Sequence, residues 1–195
     1  MGCKAPSPFF QGGMAMRASI AFVAVLAMVA VASAGENEGA TVSMKPVETT
    51  FLKPGDVVTV EVYGSGLVNA KGFSVVLEYD TDRLEYVDGS FDYSGGLFDG
   101  AISPGAAAIG NTVEIGAAFL TGGASGDGFL GKLQFKVSEG ATSGDVYIRA
   151  TLAKFMNQDG TKDEITPPPT ARTLVKVRLV AVEVTTWGEV KAMME

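Results

Sequence analysis

The feature that most constrains the fold is an alternation of apolar and polar side chains with a period of two, which begins at residue 41 and recurs in short runs. In the run from 72 to 79, one parity holds Phe73, Val75, Leu77 and Tyr79 and the other holds Ser74, Val76 and Glu78. This period is typical of strands with one buried face. No stretch from 41 to 178 shows a convincing helical period, so the sequence predicts an all-β domain.

Further strand-like runs are separated by turn residues. They occupy 57–63, 84–87, 112–119, 128–137, 146–155 and 173–177. The 25 glycines fit many tight turns, and the segment 157–160 reads as a hairpin turn. The prolines at 167–169 lack amide donors and predict an edge or a connection. We therefore predict a two-sheet antiparallel β-sandwich, jelly-roll-like, of about nine strands.

The side chains that are missing exclude most catalytic chemistry. The chain has no histidine, and its only cysteine is Cys3. These absences exclude histidine-dependent triads and dyads, and a histidine or cysteine metal site in the mature domain. Asp80, Asp82 and Glu85 make a single acidic turn, whereas glycan hydrolysis needs two carboxylates across a cleft. We expect no enzyme activity.

A second segment rich in acidic residues has some of the residue types of a calcium-binding loop. It contains Asn157, Asp159, Gly160 and Asp163. The EF-hand pattern requires an acid at the position of Phe155 and a glutamate at the position of Thr166, so the pattern fails. We expect a plain hairpin turn, no metal and no cofactor.

The charge distribution excludes another class of partner. Only Lys4 and Arg17 are charged before residue 35, which leaves 13 basic and 22 acidic residues after it, a net charge of −9. No cluster of lysine or arginine occurs in that part. Nucleic acid is therefore not an expected partner.

The N-terminal segment has the pattern of an export signal. Arg17 precedes an apolar run over 18–34 that closes with Ala32-Ser33-Ala34, a small-x-small cleavage site. We predict a signal peptide over 1–34, cleaved after Ala34, with the true start open between Met1, Met14 and Met16. The expected location is extracellular or at the cell surface, with the periplasm as an alternative. The expected domain order is then a linker at 35–40, the sandwich at 41–178 and a tail at 179–195.

The tail has a different pattern from the domain. Thr186 and Glu189 match a capping box, and Trp187, Val190 and Met194 fall on one face at helical spacing. A short amphipathic helix is predicted there. Its apolar face packs either on its own sandwich or on another molecule, and our hypothesis is a docking element.

The stretch from 41 to 178 resembles a cohesin domain. Four segments carry the resemblance: Lys53 to Val62, Gly72 to Asp80, Leu84 to Val87 and Gly128 to Val137. Tyr79-Asp80 followed by Leu84-Glu85-Tyr86-Val87 is the most specific part. The resemblance implies a non-catalytic sandwich that binds a dockerin in the assembly of extracellular or polysaccharide-degrading machinery.

The resemblance also implies a binding surface. Dockerin recognition in the family uses one sheet face that includes the third strand and the strand at 112–119. Carried over by position, the candidate residues are Ser74, Val76, Glu78, Glu114, Gly116 and Ala118. Gly72 and Ser74 stand where family members that bind dockerins often have Asn and Asp, which leaves a surface of small, weakly polar side chains.

Two other function classes stay open at this point. Direct glycan binding would require exposed planar aromatics. The candidates are Phe91, Tyr93 and Phe98, for which covering the core is the expected role, and Trp187 in the tail. A structural subunit of a surface layer would require unpaired edge strands.

Overall fold

The computed structural model describes residues 35–179, and these residues form eleven β-strands and no helix. The strands are β1 (Thr41–Lys45), β2 (Glu48–Leu52), β3 (Val57–Ala70), β4 (Gly72–Glu78), β5 (Leu84–Tyr86), β6 (Ala106–Ile109), β7 (Thr112–Ala118), β8 (Ala124–Val137), β9 (Gly144–Met156), β10 (Lys162–Ile165) and β11 (Arg172–Val177). The predicted signal peptide at 1–34 and the predicted helix in the tail lie outside the described residues.

The strands form two sheets. One sheet has the order β1-β3-β8-β5, and the other has the order β2-β11-β9-β4-β7-β6, with β10 paired to β9. All pairings are antiparallel except the parallel pair of β11 and β2. The predicted two-sheet all-β architecture is confirmed at this level.

A single apolar core lies between the sheets. Alternate residues of every long strand are buried, as the period of two requires, including Val58, Val60 and Val62 on β3 and Val75 and Leu77 on β4. Tyr79 joins this core at 8% exposure, with its ring centroid 5.1 Å from that of Phe135 on β8. The predicted core position of Tyr79 is therefore confirmed.

The structure corrects the prediction in strand number and direction. Eleven strands replace the expected nine or so among the described residues, and β2 runs parallel to β11 in a sheet that was expected to be wholly antiparallel. β3 continues to Ala70, well past the expected end at residue 63. Glycines at 64 and 66 interrupt the alternation there, and the structure absorbs the interruption as register shifts against β8.

Several local predictions are confirmed. Asp80 Oδ1 accepts a hydrogen bond of 2.9 Å from the backbone N–H of Asp82, as expected for an Asp-initiated turn. The segment 157–160 turns β9 into β10, and its hairpin closes with Asn157 N–H donating to Thr161 O at 2.8 Å. The prolines at 167–169 lie in the connection between β10 and β11.

Residues 35–40 were expected to be a linker, but in the structure they pack against the sandwich. Asn37 is fully buried. Its side chain bonds both backbone groups of Val68, with Oδ1 accepting at 2.8 Å and Nδ2 donating at 3.1 Å, and Nδ2 also donates to Asn157 Oδ1 at 2.6 Å. The prediction of a linker was wrong because it rested on the polar composition of the segment, and a polar side chain with hydrogen-bond partners is stable inside a fold.

Candidate functional site

The strand register brings the six candidate residues together on one outward surface. On the seven-stranded sheet, Ser74 pairs with Gly116, Val76 pairs with Glu114 and Glu78 pairs with Thr112. Ala118 pairs with Gly72 at the other end. We call the outward side of β6, β7, β4, β9 and β10 the groove face.

Cross-strand rows define the surface of the groove face. The first row lies at the end of the face where β4 begins, which we call the upper end, and contains Ala118, Gly72, Met156 and Lys162. The second row contains Gly116, Ser74, Lys154 and Glu164. The third row contains Ala107, Glu114, Val76 and Leu152. The first and third rows are largely apolar, and the second is polar. The face thus offers small side chains at its centre and long side chains at its margins.

The upper rows form a shallow groove of about 520 Å³. Its floor contains Gly72, Gly116 and Ala118. Ile102 and Pro104 stand on one side, and Lys154, Met156 and Lys162 stand on the other. Ile102 is 59% exposed although it is held by a β-bridge to Ala118. An exposed isoleucine beside a floor of glycine and alanine makes a shape that fits a protruding apolar group of a partner.

Two glycines of the floor are fixed by close packing. A Cβ at residue 116 would lie 2.6 Å from the carbonyl oxygen of Phe73, which is rigid backbone. A Cβ at residue 72 would lie 2.9 Å from the Cβ of Ala118 and 3.1 Å from the carbonyl oxygen of Ala117. The absence of Asn at position 72 therefore has a steric cause, and the floor stays smooth.

Several charged groups on the face contact a polar neighbour, whereas Lys162 makes no ion pair among the described residues. Ser74 Oγ donates to Glu114 Oε1 at 2.5 Å, and Lys154 Nζ lies 2.7 Å from Glu164 Oε1. The hydrogen bond and charge of Glu164, with a smaller contribution from Glu114, raise the pKa of Lys154. At the lower end, Arg149 Nε lies 3.2 Å from Glu78 Oε2, and Asn111 Nδ2 donates to Glu78 Oε1 at 3.2 Å. These contacts fix the polar side chains before any partner arrives.

Sequence reasoning missed half of this groove. Ile102, Pro104 and the strand β6 were not predicted, and neither were Lys154, Met156 and Lys162. The Gly110-Asn111 pair between the apolar run 106–109 and β7 is a two-residue hairpin signal that would have located β6. The outward parity of β9 would likewise have located Lys154 and Met156.

The remaining sequence candidates occupy structural positions. Phe98 is fully buried, and Phe91 and Tyr93 pack against the core with their ring centroids 5.6 Å apart. The expected core-covering role of these three aromatics is confirmed. Within the described part, no group of three or more carboxylate, imidazole or thiol side chains could hold a metal ion. Among residues 35–179, no helix is long and apolar enough to cross a bilayer.

Comparison with known proteins gives one family. A family model described as "Cohesin domain" matches residues 28–176. No curated protein matches the chain. Solved structures with the same fold include three cohesins that share under 25% identity with this chain.

The first of these is a non-cellulosomal cohesin from the archaeon Archaeoglobus fulgidus, 18% identical, with a TM-score of 0.54 over 72% of this chain and 91% of that one. The second is the sixth cohesin of scaffoldin B from Acetivibrio cellulolyticus, solved in complex with a mutant Cel5 dockerin. It is 20% identical, with a TM-score of 0.55 over 71% of this chain and 99% of that one.

The third is the cohesin module of a family 33 glycoside hydrolase from Clostridium perfringens. It is 15% identical, with a TM-score of 0.57 over 71% of this chain and 96% of that one.

Proposed function

The chain belongs to the cohesin domain family, and from that premise we propose that it is an exported, non-catalytic module that binds a dockerin-like protein partner through the groove face. Its place would be outside the cytoplasm, in the assembly of extracellular or polysaccharide-degrading machinery. The observation that carries the proposal is the register of β4 and β7, which sets all six candidate residues on one outward surface.

The shape and chemistry of the groove face support a protein partner. A protein interface needs a central apolar area that a partner side chain can fill, surrounded by polar groups. The glycine floor and the exposed Ile102 supply the first, and the paired Lys154 and Glu164 supply the second. Because Lys154 and Glu164 already pair with each other, the ordering of these two side chains opposes binding less than that of free ones would.

The exposed aromatics of the described residues do not form a platform for sugar rings. Tyr147 has the guanidinium of Arg172 over its ring at 4.4 Å, and Phe51 has that of Arg178 at 3.9 Å. A ring face covered by a guanidinium is not available to stack on a sugar. The same sheet therefore favours protein binding over direct glycan binding.

A calorimetric titration with a panel of purified dockerin modules tests the proposal. We expect at least one module to bind the full chain with a stoichiometry of one. Val76→Arg places a long charged side chain in the third row of the groove face and should weaken that binding by about 30-fold or more, about 2 kcal/mol.

The matched control is Thr59→Arg, because Thr59 faces outward near the start of β3 on the opposite sheet. Thr59→Arg should leave the affinity unchanged. Equal losses in the two variants, or no binding by any dockerin of the panel, would refute the proposed role of this face.

A further inference from the structure

The first turn of the described chain is tied to the hairpin of β9 and β10. Glu38 N–H donates to Gly35 O at 3.2 Å, and Ala40 N–H donates to Asn37 O at 3.0 Å. The buried Asn37 side chain then bonds Val68 and Asn157. The position of the chain at residue 35 is therefore set by its neighbours within the domain.

Gly35 lies directly against the carboxylate of Asp163. A Cβ built on Gly35 would fall 1.6 Å from Asp163 Oδ1 and 2.1 Å from its Cγ. Any side chain at position 35 would have to displace this carboxylate, so glycine allows the close approach. Standard covalent geometry then puts the backbone nitrogen of Gly35 within about 4 Å of Oδ1.

Asp163 has no cationic partner among the described residues. Its Oδ2 accepts hydrogen bonds of 2.9 Å from Asn37 N–H and from Asn157 Nδ2. The hydrogen bonds that the described residues give to this carboxylate all go to Oδ2. None of the ion pairs within 35–179 includes Asp163, and its neighbour Lys162 lies on the outward side of β10. A half-buried carboxylate in this state is stabilised by a cation beside its other oxygen.

We propose that cleavage of the export signal supplies this cation, as the α-ammonium group of Gly35. Hydrolysis of the Ala34–Gly35 peptide bond adds water, leaves a carboxylate on Ala34 and creates a free amine on Gly35. An α-amine has a pKa of about 7.7 to 8.0 and is protonated at neutral pH. The new ammonium group lies beside Asp163 Oδ1 and pairs with it.

Processing and stability are linked by this arrangement. While residue 34 is attached, the nitrogen of Gly35 is a neutral amide and carries no charge for Asp163. Removal of the leader converts the nitrogen of Gly35 to a cation beside the half-buried carboxylate of Asp163. The mature domain is therefore more stable than the same domain with an N-terminal extension.

The experiment compares two exported forms of the full chain. The first is the natural sequence, and the second carries a Ser-Thr insertion between Ala34 and Gly35, so that the exported protein begins two residues earlier and Gly35 keeps a neutral amide. Mass spectrometry of the intact proteins should place the natural N-terminus at Gly35. The insertion should lower the thermal midpoint by about 2–4 °C, the shift expected for one ion pair of this kind in a chain of this size.

Asp163→Asn separates the ion pair from a general effect of the insertion. In that background the insertion should cause no further shift, because the partner of the ammonium group is gone. Glu164→Gln is the control on the same strand and should preserve the effect of the insertion, since Glu164 pairs with Lys154. An N-terminus elsewhere than Gly35, no shift on insertion, or equal shifts with and without Asp163 would overturn the proposal.

Discussion

At the scale of single residues, Tyr79 is the clearest case of an aromatic ring that holds the two sheets together. Its ring lies 5.1 Å from that of Phe135, and burial raises the pKa of its phenol. Tyr79→Ala removes a buried ring and leaves a cavity, so we expect a loss of about 3–5 kcal/mol in the free energy of unfolding, measured by denaturant titration.

Tyr147 provides the control for this prediction. It lies on the outward side of β9, in the same sheet as β4, and contacts Arg172 by a cation–π interaction. Tyr147→Ala should cost about 1 kcal/mol or less, the range of such an exposed contact. Similar losses in the two variants would mean that Tyr79 does not act through core packing.

Gly116 is the residue that most directly links packing to the groove. Its missing side chain lets β7 approach the carbonyl of Phe73, and a Cβ would lie 2.6 Å from that oxygen. Gly116→Ala should therefore shift β7 against β4 and destabilise the fold by about 1–3 kcal/mol, as measured by chemical denaturation.

Gly140 offers a matched position for that substitution. A Cβ there would contact nothing within 4 Å, and its backbone has no positive φ. Gly140→Ala should leave stability unchanged within about 0.5 kcal/mol. An unchanged free energy of unfolding in Gly116→Ala would mean that β7 accommodates a Cβ beside the carbonyl oxygen of Phe73, which contradicts the packing described.

At the scale of elements, the polar segment 35–40 is the part of the fold whose role is least visible in the sequence. Asn37 connects it to β3 and to the end of β9 through Val68 and Asn157. Asn37→Ala leaves the part-buried backbone groups of Val68 and the buried Oδ1 of Asn157 without this partner, so we expect a loss of about 1–3 kcal/mol in a urea melt. Glu38→Ala, at an exposed neighbouring position, should change the free energy of unfolding little. Equally small effects of the two substitutions would mean that residues 35–40 are a linker.

A strand could be predicted from the sequence where a local alternation of apolar and polar residues marks its buried face. The alternation around Phe73 to Tyr79 gave β4 its correct phase, because one buried face demands a period of two. The edge strands β2 and β10 escaped prediction, since they are short and only half-buried. The parallel pairing of β2 with β11 depends on residues far apart in the chain, and no local pattern specifies it.

The candidate site was predictable only in part for the same reason. The resemblance to cohesins pointed to β4 and β7, and the register places those residues side by side. The lysines at 154 and 162 and the exposed Ile102 come from three further segments that the fold brings to the groove. Their convergence is a property of the sheet order, which the sequence alone did not determine.

At the scale of the whole molecule, the sandwich packs two sheets around one core and leaves one outward face with a groove. The four-stranded sheet covers the core on one side, while the other sheet presents the groove face to solvent. We propose that this face binds a partner, since Lys154 pairs with Glu164, Arg149 pairs with Glu78 and the centre of the face carries small side chains. A binding role for the groove face therefore requires that a partner contacts the sandwich on this side.

Mapping of backbone amide chemical shifts in a complex with a bound dockerin tests this dependence most directly. We expect the perturbed amides to lie in β4, β6, β7 and β9, with the largest changes around Ser74, Gly116 and Lys154. The strands β1, β3, β8 and β5 should show little change. Perturbations confined to the outward side of that four-stranded sheet would contradict the central claim.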